Sequence, residues 1–151
     1  MSLGEWASIA SVVSAVSLIV SVIYVSIQIR HNTRAVRASA FQQVVDSFAG
    51  ISLDIAKDKN LVDLYLRASQ EFASLSDVER AQYSLMLLSF LRRAENVFFQ
   101  TEIQLLKTEH WSGIRDSIKA IVAPPGAREC WSAIKSRLNP EFRAFIDTLI
   151  S

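Results

Sequence analysis

WASIASVVSAVSLIVSVIYVSIQI, residues 6–29, is the stretch that decides the fold of this 151-residue chain. It contains 24 residues without one charged side chain, and it lies between Glu5 and Arg30. As an α-helix it would be about 36 Å long, enough to cross a bilayer whose hydrocarbon core is about 30 Å thick. We therefore predict a transmembrane helix over residues 6–29.

Two other structures also contain long apolar runs. A cleaved signal peptide has basic residues before the run and a small-residue cleavage site after it, whereas here Glu5 precedes the run and the basic residues follow it. A buried core helix is the second alternative, but such runs are usually shorter, and this one is apolar around most of its circumference. Length and composition favour the membrane span.

Charges at the two ends of the run predict its orientation. The basic side chains that follow it are Arg30, His31, Arg34 and Arg37. Because basic flanks stay in the cytoplasm, we expect a short external N-terminus at residues 1–5 and a cytoplasmic domain at residues 30–151. Trp6 and Tyr24 are about 27 Å apart along a helix, which suits the two interfacial belts.

Small residues recur along the run at steps of three and four, which places them on one helix face. They are Ala7, Ala10, Ser14, Ser17 and Ser21. Small residues let membrane helices approach closely, and serine hydroxyls can bond across the contact, so the small-residue face predicts packing against a second copy or another membrane protein. The alternative is that each serine bonds back to its own helix and faces lipid.

The rest of the chain predicts an all-α cytoplasmic bundle, because no stretch shows sustained alternation with the strand period of two. The first helix is expected to continue beyond the apolar run, since residues 31–49 contain neither Gly nor Pro, although a break near Asn32 would also fit. The polar residues 57–60 predict a turn, followed by a helix capped by Asn60.

Capping patterns predict further helix boundaries. Ser76 and Glu79 have the spacing of a capping box, which predicts a helix that begins there and runs to about Leu106. The Pro-Pro-Gly sequence at residues 124–126 ends the next helix. Asn139, followed by proline, predicts the N-cap and first position of the last helix.

Composition argues against several classes of function. Lys and Arg total 16 against 15 for Asp and Glu, so no nucleic-acid surface is expected. Cys130 is the single cysteine, which fits a reducing compartment. His31 and His110 lack second ligands at metal-binding spacing, and the four glycines form no phosphate loop. We therefore expect no enzymatic activity, no metal and no cofactor.

One polar group interrupts the most apolar part of the long middle helix. Its members are Arg92, Arg93, Glu95, Asn96 and Gln100. Helical spacing lets Arg92 meet Glu95 at i, i+3 and Asn96 at i, i+4. We interpret the group as a solvated face or an internal polar network that maintains helix register, with a binding pocket and a metal or catalytic centre as alternatives.

Three segments, YVSIQIRHNTRAVRAS at residues 24–39, RRAENVFFQ at 92–100 and NPEF at 139–142, resemble a family of small bacterial inner-membrane proteins of unknown function. Those proteins have an N-terminal span followed by a helical domain. The resemblance implies that topology and a bacterial inner-membrane location. It implies neither an activity nor any site residue.

The sequence therefore predicts a non-enzymatic interaction or scaffold protein anchored in the lipid bilayer. It would self-associate through its membrane helix or serve as an accessory subunit of a larger membrane complex. The alternative is a membrane-tethered sensor or adaptor that binds a small ligand or a soluble partner in its helical domain.

Overall fold

The computed structural model describes residues 2–103 and 108–151, and within these ranges every side chain except those of residues 5 and 108–110. The described residues form six α-helices and one 3-10 turn, without a strand, which confirms the all-α prediction. The helices are α1 (Leu3–Lys57), α2 (Lys59–Gln70), α3 (Asp77–Glu102), α4 (Thr108–Val122), α5 (Pro125–Ile134) and α6 (Pro140–Ile150). The 3-10 turn Lys135–Arg137 lies between α5 and α6.

Two compact units make up the chain, Met1–Ser39 and Ala40–Ser151. Helix α1 contributes residues to both, and it continues through Asn32 as the absence of Gly and Pro predicted. Its N-terminal part is long and apolar enough to cross a membrane, a test that a signal sequence also passes.

The second unit has its own hydrophobic core. Its largest fully buried side chains are Trp131, Tyr83 and Phe142, contributed by α5, α3 and α6. The last part of α1 covers one side of this bundle, where Val44 is buried and Phe48 is partly buried. Helices α2 to α6 therefore supply most of the core, and the last part of α1 adds to its edge.

Helices α2 and α5 cross with their backbones in close contact at Gly126. A Cβ atom built on Gly126 would lie 2.0 Å from the carbonyl oxygen of Ala68. Only a residue without a side chain fits at such a crossing, because the obstacle is backbone rather than a movable side chain. Ala68, Gly126 and the neighbouring Ala127 are all buried.

Most of the predicted helix boundaries agree with the structure. Ser76 and Glu79 form the capping box, and Asn139 caps α6 by accepting a hydrogen bond from the Glu141 amide at 2.9 Å. The prediction of Asn60 as a cap is wrong. Asp58 caps α2 instead, because its carboxylate accepts the Asn60 amide at 2.8 Å from an extended backbone conformation.

The end of α3 also differs from the prediction, because the helix ends at Glu102. The predicted end at Leu106 lies outside the described residues. The Pro-Pro-Gly sequence does terminate α4, which ends at Val122, and its second proline opens α5 at the first helical position.

Candidate functional site

The apolar run of the first unit exposes its large side chains all along its length. Exposed fractions are 63% for Val12, 67% for Leu18 and 59% for Val20, and Leu18 and Val20 lie on nearly opposite sides of the helix. Soluble proteins rarely leave an apolar surface of this size uncovered, and such surfaces mark contacts with lipid or with a partner. Trp6 and Tyr24, near the two ends, are exposed as well.

Serine hydroxyls on the small-residue face donate to carbonyls of their own helix. Ser14 Oγ donates to Ala10 O and Ser21 Oγ to Ser17 O, each at 2.8 Å. These bonds occupy the hydroxyl protons and leave the oxygen lone pairs and the small side-chain volume available to a neighbour. All five residues of the face, including Ala7, are exposed. Close approach is therefore the property that this face offers to a second helix.

Basic residues follow the apolar run on the same helix. Arg30, His31, Arg34 and Arg37 are all exposed. The side chains of the three arginines have no ion pair or hydrogen bond within the described residues. Their guanidinium groups are available to ligands outside the protein.

The polar group of α3 divides into two sets that point in different directions. Arg92 Nη1 pairs with Glu95 Oε2 at 2.8 Å, and the second oxygen of Glu95 accepts the backbone N–H of Asn139 at 2.6 Å. Arg92 Nη2 also donates to the carbonyl of Arg137. These bonds join α3 to the turn that opens α6. Glu95 itself is only 9% exposed.

The second set faces the last part of α1. Arg93 donates to the carbonyl of Ser89 at 3.1 Å, and Gln100 Nε2 donates to Asn96 Oδ1 at 3.1 Å. Together with Gln43 and other α1 residues, these three line a cavity of about 230 Å³. Gln100 Oε1 is buried and has no hydrogen-bond partner among residues 2–103 and 108–151, which makes this cavity a place where water or a polar ligand would be stabilised.

Two apolar cavities lie beside residues 41–55 of α1 in the second unit. The smaller has a volume of about 260 Å³ and is lined by Ile51, Ser52, Ile55, Tyr65, Tyr83, Met86, Leu87, Phe90 and Ile121. The larger, about 420 Å³, shares Ser52, Phe90 and Ile121 with it and extends to Phe41 between α1 and α4. An apolar cavity of about 150 Å³ is enough to bind benzene, so the smaller one has room for a small apolar molecule.

Two buried titratable groups of the second unit have raised pKa values. Burial raises the pKa of Tyr83 to about 12, although a hydrogen bond with Ser69 opposes the shift. Burial also raises the pKa of the Cys130 thiol, which lies 3.4 Å from the hydroxyl of Ser84. A protonated buried thiol is a poor nucleophile, and this favours the interpretation of Cys130 as a core residue.

Within the described residues, no three His, Cys, Asp or Glu side chains lie close enough together to hold a metal ion. Glu95 is engaged with Arg92 and Asn139, while Glu102, seven residues later on α3, is exposed. The side chain of His110 lies outside the described residues.

Sequence patterns missed several of these features. The contact of Trp131 Nε1 with Asp147 Oδ1, at 2.8 Å, joins α5 to α6 through residues sixteen positions apart. The cavities arise from incomplete packing between helices, which no local pattern reports. Gly126 was predicted only to help end a helix, and its contact with Ala68 depends on how α2 and α5 cross, which no local pattern shows.

Comparison with known protein families, curated proteins and solved structures finds no match to this chain.

Proposed function

We propose that this protein is a membrane-anchored interaction protein without enzymatic activity, which associates with copies of itself or with a larger membrane complex. The exposed apolar surface of residues 6–29 carries the proposal, because burying that surface in lipid removes it from water. The basic residues after the run support an external N-terminus and a cytoplasmic C-terminal unit.

Membrane insertion and orientation are tested together on the full chain. A C-terminal reporter that works only in the cytoplasm should be active, and one that works only outside should be silent. The protein should remain in the membrane fraction after an alkaline carbonate wash, with its N-terminal residues intact by mass spectrometry. A shortened chain released from the membrane would instead identify residues 6–29 as a cleaved signal sequence.

The small-residue face is the proposed contact within the membrane. Replacing Ser14 and Ser17 with Leu should separate the helices, because the larger side chains prevent close approach. Replacing the same serines with Ala should have a milder effect, since alanine preserves the approach distance. Leu18→Ile, off this face, is the matched control.

Cysteine crosslinking identifies the partner of this face. For self-association, single cysteines at positions 10, 14, 17 and 21 should crosslink between copies more than flanking positions do. The native Cys130 is buried and gives a low background. A stable larger particle without crosslinks between copies would identify a different membrane protein as the partner, and a monomer unaffected by Ser→Leu would reject the contact.

A ligand-binding adaptor is the second candidate, and the apolar cavity of about 260 Å³ favours it. If the cavity accepts small apolar molecules, saturating benzene should raise the melting temperature of the full chain in detergent, because it binds the folded state alone. Ile121→Phe narrows the cavity and should reduce that rise. An equal rise in both proteins would assign the effect to the detergent or the surface.

A further inference from the structure

We propose that Arg30, Arg34 and Arg37 form a binding site for lipid headgroups that carry more than one phosphate. The three residues, here called the arginine stripe, belong to the first unit and directly follow the apolar run. The inference rests on the proposed membrane span. It names the class of lipid that the residues directly after the span would bind.

Helical structure at these positions aligns the three arginines. Residues 30–37 are α-helical, and the spacing i, i+4, i+7 places the three side chains within about 60° of one another around the helix axis. A chain break at Asn32, the alternative that the sequence allowed, would have separated Arg30 from the other two. The stripe is therefore a consequence of the continuous helix.

The charge environment of the stripe suits an anion. Between Glu5 and Asp46 the chain contains no acidic residue, and the three guanidinium groups have no ion pair within the described residues. Guanidinium groups bind phosphate oxygens in a bidentate manner. Three of them in a row about 10 Å long match two or more phosphates better than a single phosphate.

The stripe also faces the correct way for lipid. Counting 100° per residue, it lies about half a turn around the helix from Ala10, Ser14, Ser17 and Ser21. If the small-residue face contacts a protein partner, the arginine stripe points away from that partner. Its position just beyond the apolar run then places it at the level of the headgroups.

Topology alone would also explain basic residues at this position, but topology depends on their number and not on the helix face they occupy. A paired exchange separates the two roles. Asn32→Arg with Arg34→Asn, combined with Val36→Arg and Arg37→Val, preserves composition and charge while spreading the arginines around the helix. Asn32 and Val36 are both exposed, so the exchange disturbs no packing within the described part of the chain.

The experiment is native mass spectrometry of the full chain from detergent micelles that contain phosphatidylcholine, phosphatidylglycerol and the two-phosphate lipid cardiolipin. The unaltered chain should retain cardiolipin in preference to phosphatidylglycerol at equal total charge. The exchange variant should lose about fivefold in cardiolipin retention for each arginine moved. Equal retention by both proteins would overturn the proposal.

Two controls separate the possible failures. Soluble pyrophosphate in excess should not displace the lipid, and efficient displacement would reassign the stripe to free phosphates. A carbonate wash of both proteins in membranes reports on the span itself. Loss of both proteins from the membrane would reject the proposed function, whereas two anchored proteins with equal lipid retention reject only the headgroup site.

Discussion

The α2–α5 crossing and the contact of α1 residues 41–55 with α3 and α4 are packed to different densities within the same unit. At the crossing, the backbones approach until not even a methyl group fits beside Gly126. Around residues 41–55, cavities of about 230 to 420 Å³ remain. The α2–α5 crossing therefore has no space for an added group, whereas the α1 contact leaves room for a ligand or for a rearrangement of side chains.

The largest expected effect on the free energy of unfolding comes from replacing a buried phenylalanine of the closely packed bundle with alanine. The comparison is the same replacement at a phenylalanine of the α1 contact. Phe142 is fully buried, so Phe142→Ala should lower the free energy of unfolding by about 3–5 kcal/mol. Phe48 is partly buried between cavities, so Phe48→Ala should cost about 1–2 kcal/mol. Urea unfolding of the full chain in detergent measures both, and equal losses would refute the difference in packing.

Alanine substitutions at two glycines, one at the α2–α5 crossing and one on α4, test the same difference in packing. Gly126→Ala should destabilise the protein by about 3 kcal/mol, because the new methyl group forces the α2 and α5 backbones apart. A methyl group added at Gly113, on α4, would have nothing within 4 Å, so Gly113→Ala should stabilise by about 0.5–1 kcal/mol through helix propensity. Thermal unfolding of both variants checks the opposite signs.

The Glu95 contact is expected to be weaker than the glycine crossing. Glu95→Ala removes the acceptor of the Asn139 amide and should cost about 1–3 kcal/mol. Arg92 is 52% exposed and remains hydrated, so loss of the ion pair itself adds little. Glu95→Gln preserves an oxygen for the amide and should lose less stability. Unchanged stability with a loss of binding would assign Glu95 to a functional site.

The smallest effect concerns the α2–α3 surface and depends on pH. Hydrogen bonds from Arg67, then from the Ser76 amide and hydroxyl, lower the pKa of Glu79 from 4.5 to about 2. A lowered pKa in the folded state means that ionised Glu79 stabilises the fold above pH 4.5, and that this stabilisation disappears as the pH falls towards 2.

Glu79→Gln tests this dependence. The difference in melting temperature between the variant and the unaltered chain should be largest above pH 4.5 and should shrink as the pH approaches 2. A difference that stays constant across this range would show that Glu79 acts through hydrogen bonding without a contribution from its charge.

Local patterns predicted the helices because the information lies within a few residues of each boundary. The capping box at Ser76 and the cap at Asn139 involve atoms two or three residues apart, and the helix through Asn32 required only the absence of breakers. The error at Asn60 was of the same local kind. Asp58, two residues earlier, has an equally suitable side chain, and the turn before α2 is shorter than predicted.

The sequence by itself determined the all-α class and the long apolar helix, because helical periodicity follows from the order of residues, whereas the alignment of the arginine stripe depended on the helix continuing through Asn32. Only the tertiary structure decided that Glu95 binds the Asn139 amide while Asn96 faces a cavity with Gln100, and that Gly126 lies against Ala68. These contacts join residues far apart in the chain, and their geometry depends on how whole helices pack.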